Sequence, residues 1–338
     1  MKLRDDVVTL AHGAGGKATR ALVEGLFLEE LRNPVLEPLG DAALVELEGT
    51  RLAFTTDSYV VKPIFFPGGS IGDLAVNGTV NDLAVAGAVP LWLSAGFVIE
   101  EGFPVADLRR VARDMAGAAE AAGVAIATGD TKVVERGNAD GLYVNTTGVG
   151  ALAPGVDVRP DRVQAGDRVL LSGTLGDHGM AVMIARGDLK LEADIRSDTA
   201  PLNELAAALL ELVEELRWMR DPTRGGLATA LNELAREARV AVVLDECALP
   251  LRPPVVGACE ILGIDPLYVA NEGKLIAIVS AEAADHALAS LRMQPLGEDA
   301  ALVGTIHAEP SGLVLLDTAL GGRRIVDTLV GDPLPRIC

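Results

Sequence analysis

The segment IGDLAVNGTVNDLAVAG, residues 71–87, constrains the fold more than any other stretch. Leu74, Val76, Val80, Leu83 and Val85 follow helical spacing yet spread over most of the circumference, so this helix is covered on several sides. Asp73, Asn77 and Asn81 recur at i, i+4 with Asp82 beside them, which lays a polar stripe along an otherwise apolar helix. Unpaired carboxylates are expensive in such surroundings, so the stripe requires a partner. One candidate is a hard divalent cation: Mg²⁺ takes oxygen ligands, keeps waters and bridges a few carboxylates to substrate phosphates.

Strand and helix patterns alternate around this segment. Ala43 to Leu47 and Leu52 to Thr56 read as adjacent strands, and Leu91 to Ile99 as a third. Pro104 opens a helix whose apolar positions are Val105, Leu108, Val111 and Met115 and which Gly123 closes; Val124 to Ala127 and Leu142 to Thr147 return to strand. Pro154, Gly155, Pro160 and Gly166 then interrupt the pattern, which puts a domain boundary within Ala153 to Gly166. Beyond it, strands are expected at Arg168 to Ser172, Val240 to Leu244 and Leu275 to Val279. Helices are expected near Gly179 to Arg186, Leu202 to Leu216 and Gly225 to Arg239.

With 338 residues, 49% of them hydrophobic, the chain can fill two cores without staples. Its net charge of −19 opposes binding to a nucleic-acid backbone and offers no basic patch to anionic lipid. The opening MKLRDDVVTL has Asp5 and Asp6 where an export signal needs an apolar run, so a cytoplasmic location is expected. Residues 83–99 carry no charge but are short for a membrane span, and read as a buried helix running into a strand. Cys247, Cys259 and Cys338 are odd in number and lack C-x-x-C spacing, so they are expected to be reduced thiols, with no disulfide framework or zinc site.

Several short motifs can carry chemistry. HGAGGK, His12 to Lys17, has the glycines and lysine of a phosphate loop, but Ala11 and Ala18 break the P-loop pattern and no strand precedes it; a plain turn is an equal reading. Asp41, Asp57, Asp130 and Asp221 stand at strand ends and before a helix, where each alone reads first as a cap or turn residue. Clustered aspartates would repel a polyphosphate, so an ATP site built from them requires Mg²⁺. Lys132 adds a phosphate contact or is a surface lysine. His178 in GDHG reads first as a capping residue, and Glu272 in NEGK as a solvated turn residue. The final residues PLPRIC follow Gly331 and put Cys338 at the tip of an extended segment, able to reach roughly 25 Å at about 3.1 Å per residue. The alternative is a disordered end with an incidental cysteine.

Taken in order from His12 to Cys338, HGAGGK, FTTDSYVVKPIFFPGGSIGDLAVNGTVNDLA, TGDTKVV, NTTG, MRDPTRGGLATALNELA, NEGK and PRIC resemble the HypE family of hydrogenase maturation proteins. That family is similar in fold to the PurM-like superfamily of ATP-using enzymes, which includes aminoimidazole ribonucleotide synthetase and thiamine monophosphate kinase. The resemblance implies a two-domain fold, α/β followed by α+β. Residues 1–153 would form an ATP-binding, dimerising domain, residues 154–330 a second domain, and residues 331–338 a mobile tail. It implies ATP-dependent dehydration of an S-carboxamide on Cys338 to an S-cyanide, with Mg²⁺ as cofactor. The implied partners are the carbamoyltransferase HypF, the HypC–HypD complex and a second copy of the chain.

By the same resemblance, Asp41, Asp57, Asp82, Asp130 and Asp221 occupy metal and nucleotide positions, and Lys132 and Asn145 nucleotide-site motifs. Gly13, Gly15, Gly16 and Lys17 close over phosphates, and Glu272 is the candidate base. Two alternatives compete: a kinase or synthetase acting on a free small molecule, and a non-catalytic carrier whose tail shuttles a thioester-like group.

Overall fold

The computed structural model describes residues 3, 5–187, 193–329 and 336–338. The first half is organised by one sheet and a small hairpin. Its strands are β1 (Ala43–Leu47), β2 (Thr50–Tyr59), the hairpin β3 (Phe65–Phe66) and β4 (Gly69–Ser70), then β5 (Ala88–Glu100), β6 (Ala125–Val134) and β7 (Leu142–Leu152). The five long strands are ordered β1-β2-β7-β5-β6, and only β5 and β6 run parallel. Ser70 caps the Ile71–Val85 helix in a capping box with Asp73. This helix and Val105–Ala122 cover one sheet face, with Ile71, Leu74, Val80, Leu93, Val111, Met115 and Val144 forming the core between them. Pro104 is the cap of the second helix, which begins at Val105; Gly123, at φ 69°, closes it as expected.

The second half is built on a seven-stranded sheet: β8 (Arg168–Leu171), β9 (Leu216–Arg220), β10 (Ala241–Asp245), β11 (Ile276–Val279), β12 (Ala301–His307), β13 (Val314–Asp317) and β14 (Arg323–Ile325). Their order is β14-β13-β10-β12-β8-β11-β9. Alternation along β8 shows its layering: Val169 and Leu171 pack with the Gly226–Ala238 helix, whereas Leu170 packs with the Asn203–Leu210 and Ala284–Arg292 helices. The helix expected to reach Leu216 stops at Leu210, because Leu216 starts β9 and is buried among Leu205, Leu209 and Ala277.

Ala84 and Val85, at the end of the central helix, enter that same second-domain core, so the two halves share apolar contacts. Asn81 reinforces the junction by accepting from the Leu202 N–H (2.8 Å) and donating to the Ala200 carbonyl (3.1 Å). No helix of the described residues is long and apolar enough to cross a membrane.

Candidate active site between the two halves

Three elements deliver the carboxylates. Asp41 precedes β1, Asp82 lies on the central helix, and Asp221 follows β9; they offer carboxylate oxygens all within 4.8 Å of one another. Thr55 Oγ1 ties the first two, lying 2.8 Å from the Asp41 carbonyl and 2.7 Å from Asp82 Oδ2. Asp57, on β2, adds its charge and accepts from the Tyr59 hydroxyl at 3.1 Å. Burial, then the neighbouring aspartates, raises the Asp82 pKa well above the usual carboxylate range. Burial and Asp41 push Asp221 up to about 8. Arg220 brings a cation to the cluster, 3.0 Å from Asp41 and 3.2 Å from Glu233.

The glycine loop lies beside this cluster. Gly15 and Gly16 line a cavity of about 640 Å³ together with Arg220, Asp221, Arg224 and Arg236. Gly15, at φ 78°, sits so close to Arg224 that a Cβ would come 2.8 Å from its carbonyl oxygen. Arg224 in turn donates to the Gly13 carbonyl at 3.0 Å. Lys17 points away from the aspartates and pairs with Asp327 at 2.7 Å.

The end of the chain comes back into the same cleft. The Val60 N–H donates to the Cys338 carbonyl and the Lys62 N–H to the Arg336 carbonyl, both at 3.2 Å, so residues 336–338 lie as an antiparallel extension beside the strand end. Ile337 is 3% exposed. The expected tether, residues 331–335, lies outside the described residues, but Cys338 itself is docked. Burial pushes its thiol up to about 12, Arg224 opposing and Glu272 and Asp57 reinforcing the shift. Glu272 is itself buried, its pKa raised well above normal by desolvation and then by Asp221 and Asp198. Among the described residues, one of its carboxylate oxygens, Oε1, has no hydrogen-bond partner.

The structure therefore gathers Asp41, Asp57, Asp82, Asp221, Glu272, Cys338 and the Gly13–Lys17 loop. It does not bring Asp130, Lys132 or Asn145 to the aspartates within one chain. Ser58, Asn145, Gly96 and Asp130 form one row across β2, β7, β5 and β6, and this row faces away from the central helix, whereas Asp57 faces it. Asp130 pairs instead with Lys132 at 2.7 Å, and Asn145 donates to the Asp57 carbonyl at 2.7 Å.

The polar stripe is also corrected: Asp73 caps its helix, Asn77 donates to Thr199 at 3.1 Å, and Asn81 binds the second half. Only Asp82 contributes to the carboxylate cluster. Glu272 lies in the expected bend before β11 but is buried rather than solvated, and His178 does not cap its helix. His178 is fully buried and reaches the tail. Arg220, Arg224 and Tyr59 were not legible as site residues, although MRDPTRGG places both arginines beside Asp221.

Gly78 fits the central helix against Tyr59. A Cβ there would lie 2.1 Å from the Tyr59 hydroxyl oxygen, which is buried and bound to Asp57. Gly78→Ala is expected to displace Tyr59 and lower the turnover of this site about tenfold, the loss of one well-placed hydrogen bond to a charged group. Tyr59→Phe, which removes the clashing oxygen, should make the alanine substitution nearly silent when the two are combined. Steady-state rates of the four proteins check this; full additivity would contradict it.

Residues 39–152 match the AIR synthase related protein N-terminal domain, and residues 164–316 match its C-terminal domain. Fold and carboxylate cleft thus define a member of the AIR synthase-related, PurM-like class. A carbamoyl dehydratase HypE from Rhodobacter capsulatus is 57% identical over 341 residues, covering 100% of both chains. The crystal structure of HypE in complex with ATP has a TM-score of 0.82 at 48% identity, over 98% of this chain and 100% of that one. A chain of the HypE–HypF complex gives 0.87 at 47% identity, over 91% and 100%. The chain belongs to the HypE family.

Proposed function

We propose that this protein is an ATP-dependent carbamoyl dehydratase that converts an S-carboxamide on Cys338 into an S-cyanide, the source of the cyanide ligand on the iron of nickel–iron hydrogenase. The observation that carries this reading is the docking of Cys338 beside an unpartnered Glu272 oxygen, with the carboxylate cluster and the glycine-loop cavity adjoining.

The carboxamide oxygen takes the γ-phosphoryl group of ATP, which turns a poor leaving group into phosphate. Loss of one N–H proton accompanies that transfer, and loss of the second accompanies phosphate departure, leaving the nitrile; ADP and phosphate balance the water removed. Glu272, by its raised pKa, is a stronger base than an ordinary carboxylate and collects a proton at Oε1. Arg224 balances charge beside the sulfur.

The donor set at Asp41, Asp82 and Asp221, all oxygen, partly to fully buried and mutually repelling, fits Mg²⁺, which when bound would neutralise triphosphate charge. Asp57 stands next to it. The Gly13–Lys17 loop closes over the phosphates in this reading, with Lys17 exchanging Asp327 for the nucleotide.

The carbamoyl group comes from HypF, and the cyanide passes to the HypC–HypD complex, both in the cytoplasm. A second copy completes the site. Phe54, Trp92 and Val98 are exposed on the outward sheet face, and β6 is a long exposed edge strand. Burying this face against a partner also places Asp130, Lys132 and Asn145 inside an assembly, where they would serve the nucleotide. Trp92→Asp is expected to halve the mass in solution, from dimer to monomer, and to depress ATP turnover. Light scattering after size exclusion checks the first expectation, and a monomeric parent protein would contradict it.

The function itself is tested by phosphate release. Carbamoylated protein should release one phosphate per chain in a single turnover, and Cys338→Ser none. Turnover of ATP that ignores Cys338 would favour the small-molecule kinase, and none at all the carrier.

A further inference from the structure

The docked end of the chain is gripped by groups that no step above uses. Because residues 336 and 338 turn their carbonyls to Lys62 and Val60, the Ile337 carbonyl points the other way, into a buried region where water cannot serve it. His178 meets it, with Nε2 2.9 Å from the Ile337 oxygen. A carbonyl only accepts, so Nε2 carries the hydrogen. Nδ1 is then the acceptor for the Ser197 hydroxyl at 2.8 Å. Ser197 Oγ in turn accepts from the Thr199 N–H at 3.1 Å, and the Ser197 N–H donates to the Pro67 carbonyl at 2.8 Å, which fixes the hydroxyl. The Phe66 ring sets the imidazole plane from its edge, 5.6 Å away at 87°.

The Ile337 side chain fills an apolar socket with Met180, Ala181, Val255 and Val269. Arg186 holds the neighbouring carbonyl of Arg336 at 2.6 Å and that of Lys62 at 2.8 Å. Penultimate side chain and penultimate carbonyl are thus both read, as in recognition of a peptide added to a strand edge.

We propose that His178 is a positioning residue for the dehydration: its Nε2–H holds the Ile337 carbonyl, and through it fixes the cysteine that carries the reacting group. Burial keeps the ring in the neutral form that this bond requires. The proposal rests on the dehydratase reading for its kinetic consequence, though not for its geometric one.

Three measurements on full-length protein separate these: single-turnover dehydration of the carbamoylated form, the iodoacetamide alkylation rate of Cys338 in the uncarbamoylated form, and the melting temperature. In His178→Leu, alkylation should rise about tenfold and dehydration fall about tenfold, the loss of one buried hydrogen bond, while carbamoylation by HypF is not slowed. His178→Gln, whose amide can place an N–H near the Nε2 position, should recover most of both. Ser197→Ala, a milder change that frees the tautomer, should shift both a few-fold in the same direction, and serves if the leucine protein does not fold.

Unchanged alkylation and dehydration in His178→Leu would overturn the proposal. So would equal impairment of the Leu and Gln proteins with a collapsed melting temperature, which would make the ring space-filling only. If wild-type protein alkylates slowly but never dehydrates, the functional reading fails while the alkylation series still decides the role of His178.

Discussion

Replacing Glu272 by Gln is expected to slow dehydration of the carbamoylated protein by about 10²–10⁴-fold, the usual contribution of a positioned general base. The amide keeps the size and burial of the side chain but cannot collect the N–H proton. The carboxylate is 3% exposed and its Oε1 is unpartnered, so no solvent base replaces it. ATP binding should be retained, because Glu272 lies at the thiol end of the site and not among the three clustered aspartates. A second readout distinguishes this from general damage. Glu272 is one of the groups that pushes the Cys338 thiol up, so in Glu272→Gln the thiolate forms at lower pH and alkylation accelerates. A variant that dehydrates at the wild-type rate would remove Glu272 from the mechanism.

Asp82→Asn is expected to trade function for stability. The Asp82 carboxyl is desolvated and faces Asp57, Asp221 and Asp41, so without a cation its ionised form is disfavoured. ATP turnover should fall a hundredfold or more as one carboxylate of the proposed metal site is lost. The metal-free variant should nonetheless melt a few degrees higher than wild type near neutral pH.

The sign of the pH dependence follows from the raised values. Asp221 moves from an ordinary 3.8 up to about 8, and Asp82 moves in the same direction. The folded state therefore binds more protons than the unfolded state between these limits. The stability these neutral carboxyls contribute is complete below about pH 4 and is lost as pH rises toward 8. Without metal, wild type should lose melting temperature over this interval, and its deficit against Asp82→Asn should widen with pH. Mg²⁺ should restore more in wild type than in the variant. Melting curves from pH 4 to 8 with and without Mg²⁺ check this; a deficit that shrinks with rising pH would contradict it.

These expectations rest on residues that the sequence made legible to different degrees. The central helix was legible because its apolar positions surround it, and Asp82 was legible because a carboxylate there is costly. The rest of its polar stripe was not, since Asn77 and Asn81 bind Thr199 and Leu202, more than a hundred positions along the chain. Asp57 in TTDS and Asp130 in TGDT look alike in sequence, each beside threonine within a strand. Only strand register reveals that they face opposite sides of the sheet. β9 was hidden because its apolar Leu216 continues the spacing of the preceding helix, β14 is only three residues long, and β12 and β13 were not read as strands. His178 carried only the weak signal of GDHG, which read first as a cap. Its partner is a backbone carbonyl 159 residues away, and a carbonyl leaves no mark on sequence.

The central claim is that the chemistry occurs on the docked Cys338, and intact mass tests it most directly. Protein carbamoylated on Cys338 is weighed before and after addition of Mg²⁺ and ATP, with Cys338→Ser alongside. The account predicts loss of the mass of one water only when Cys338, its carbamoyl group and ATP are all present. A carbamoylated mass that stays constant while ATP is consumed would contradict it.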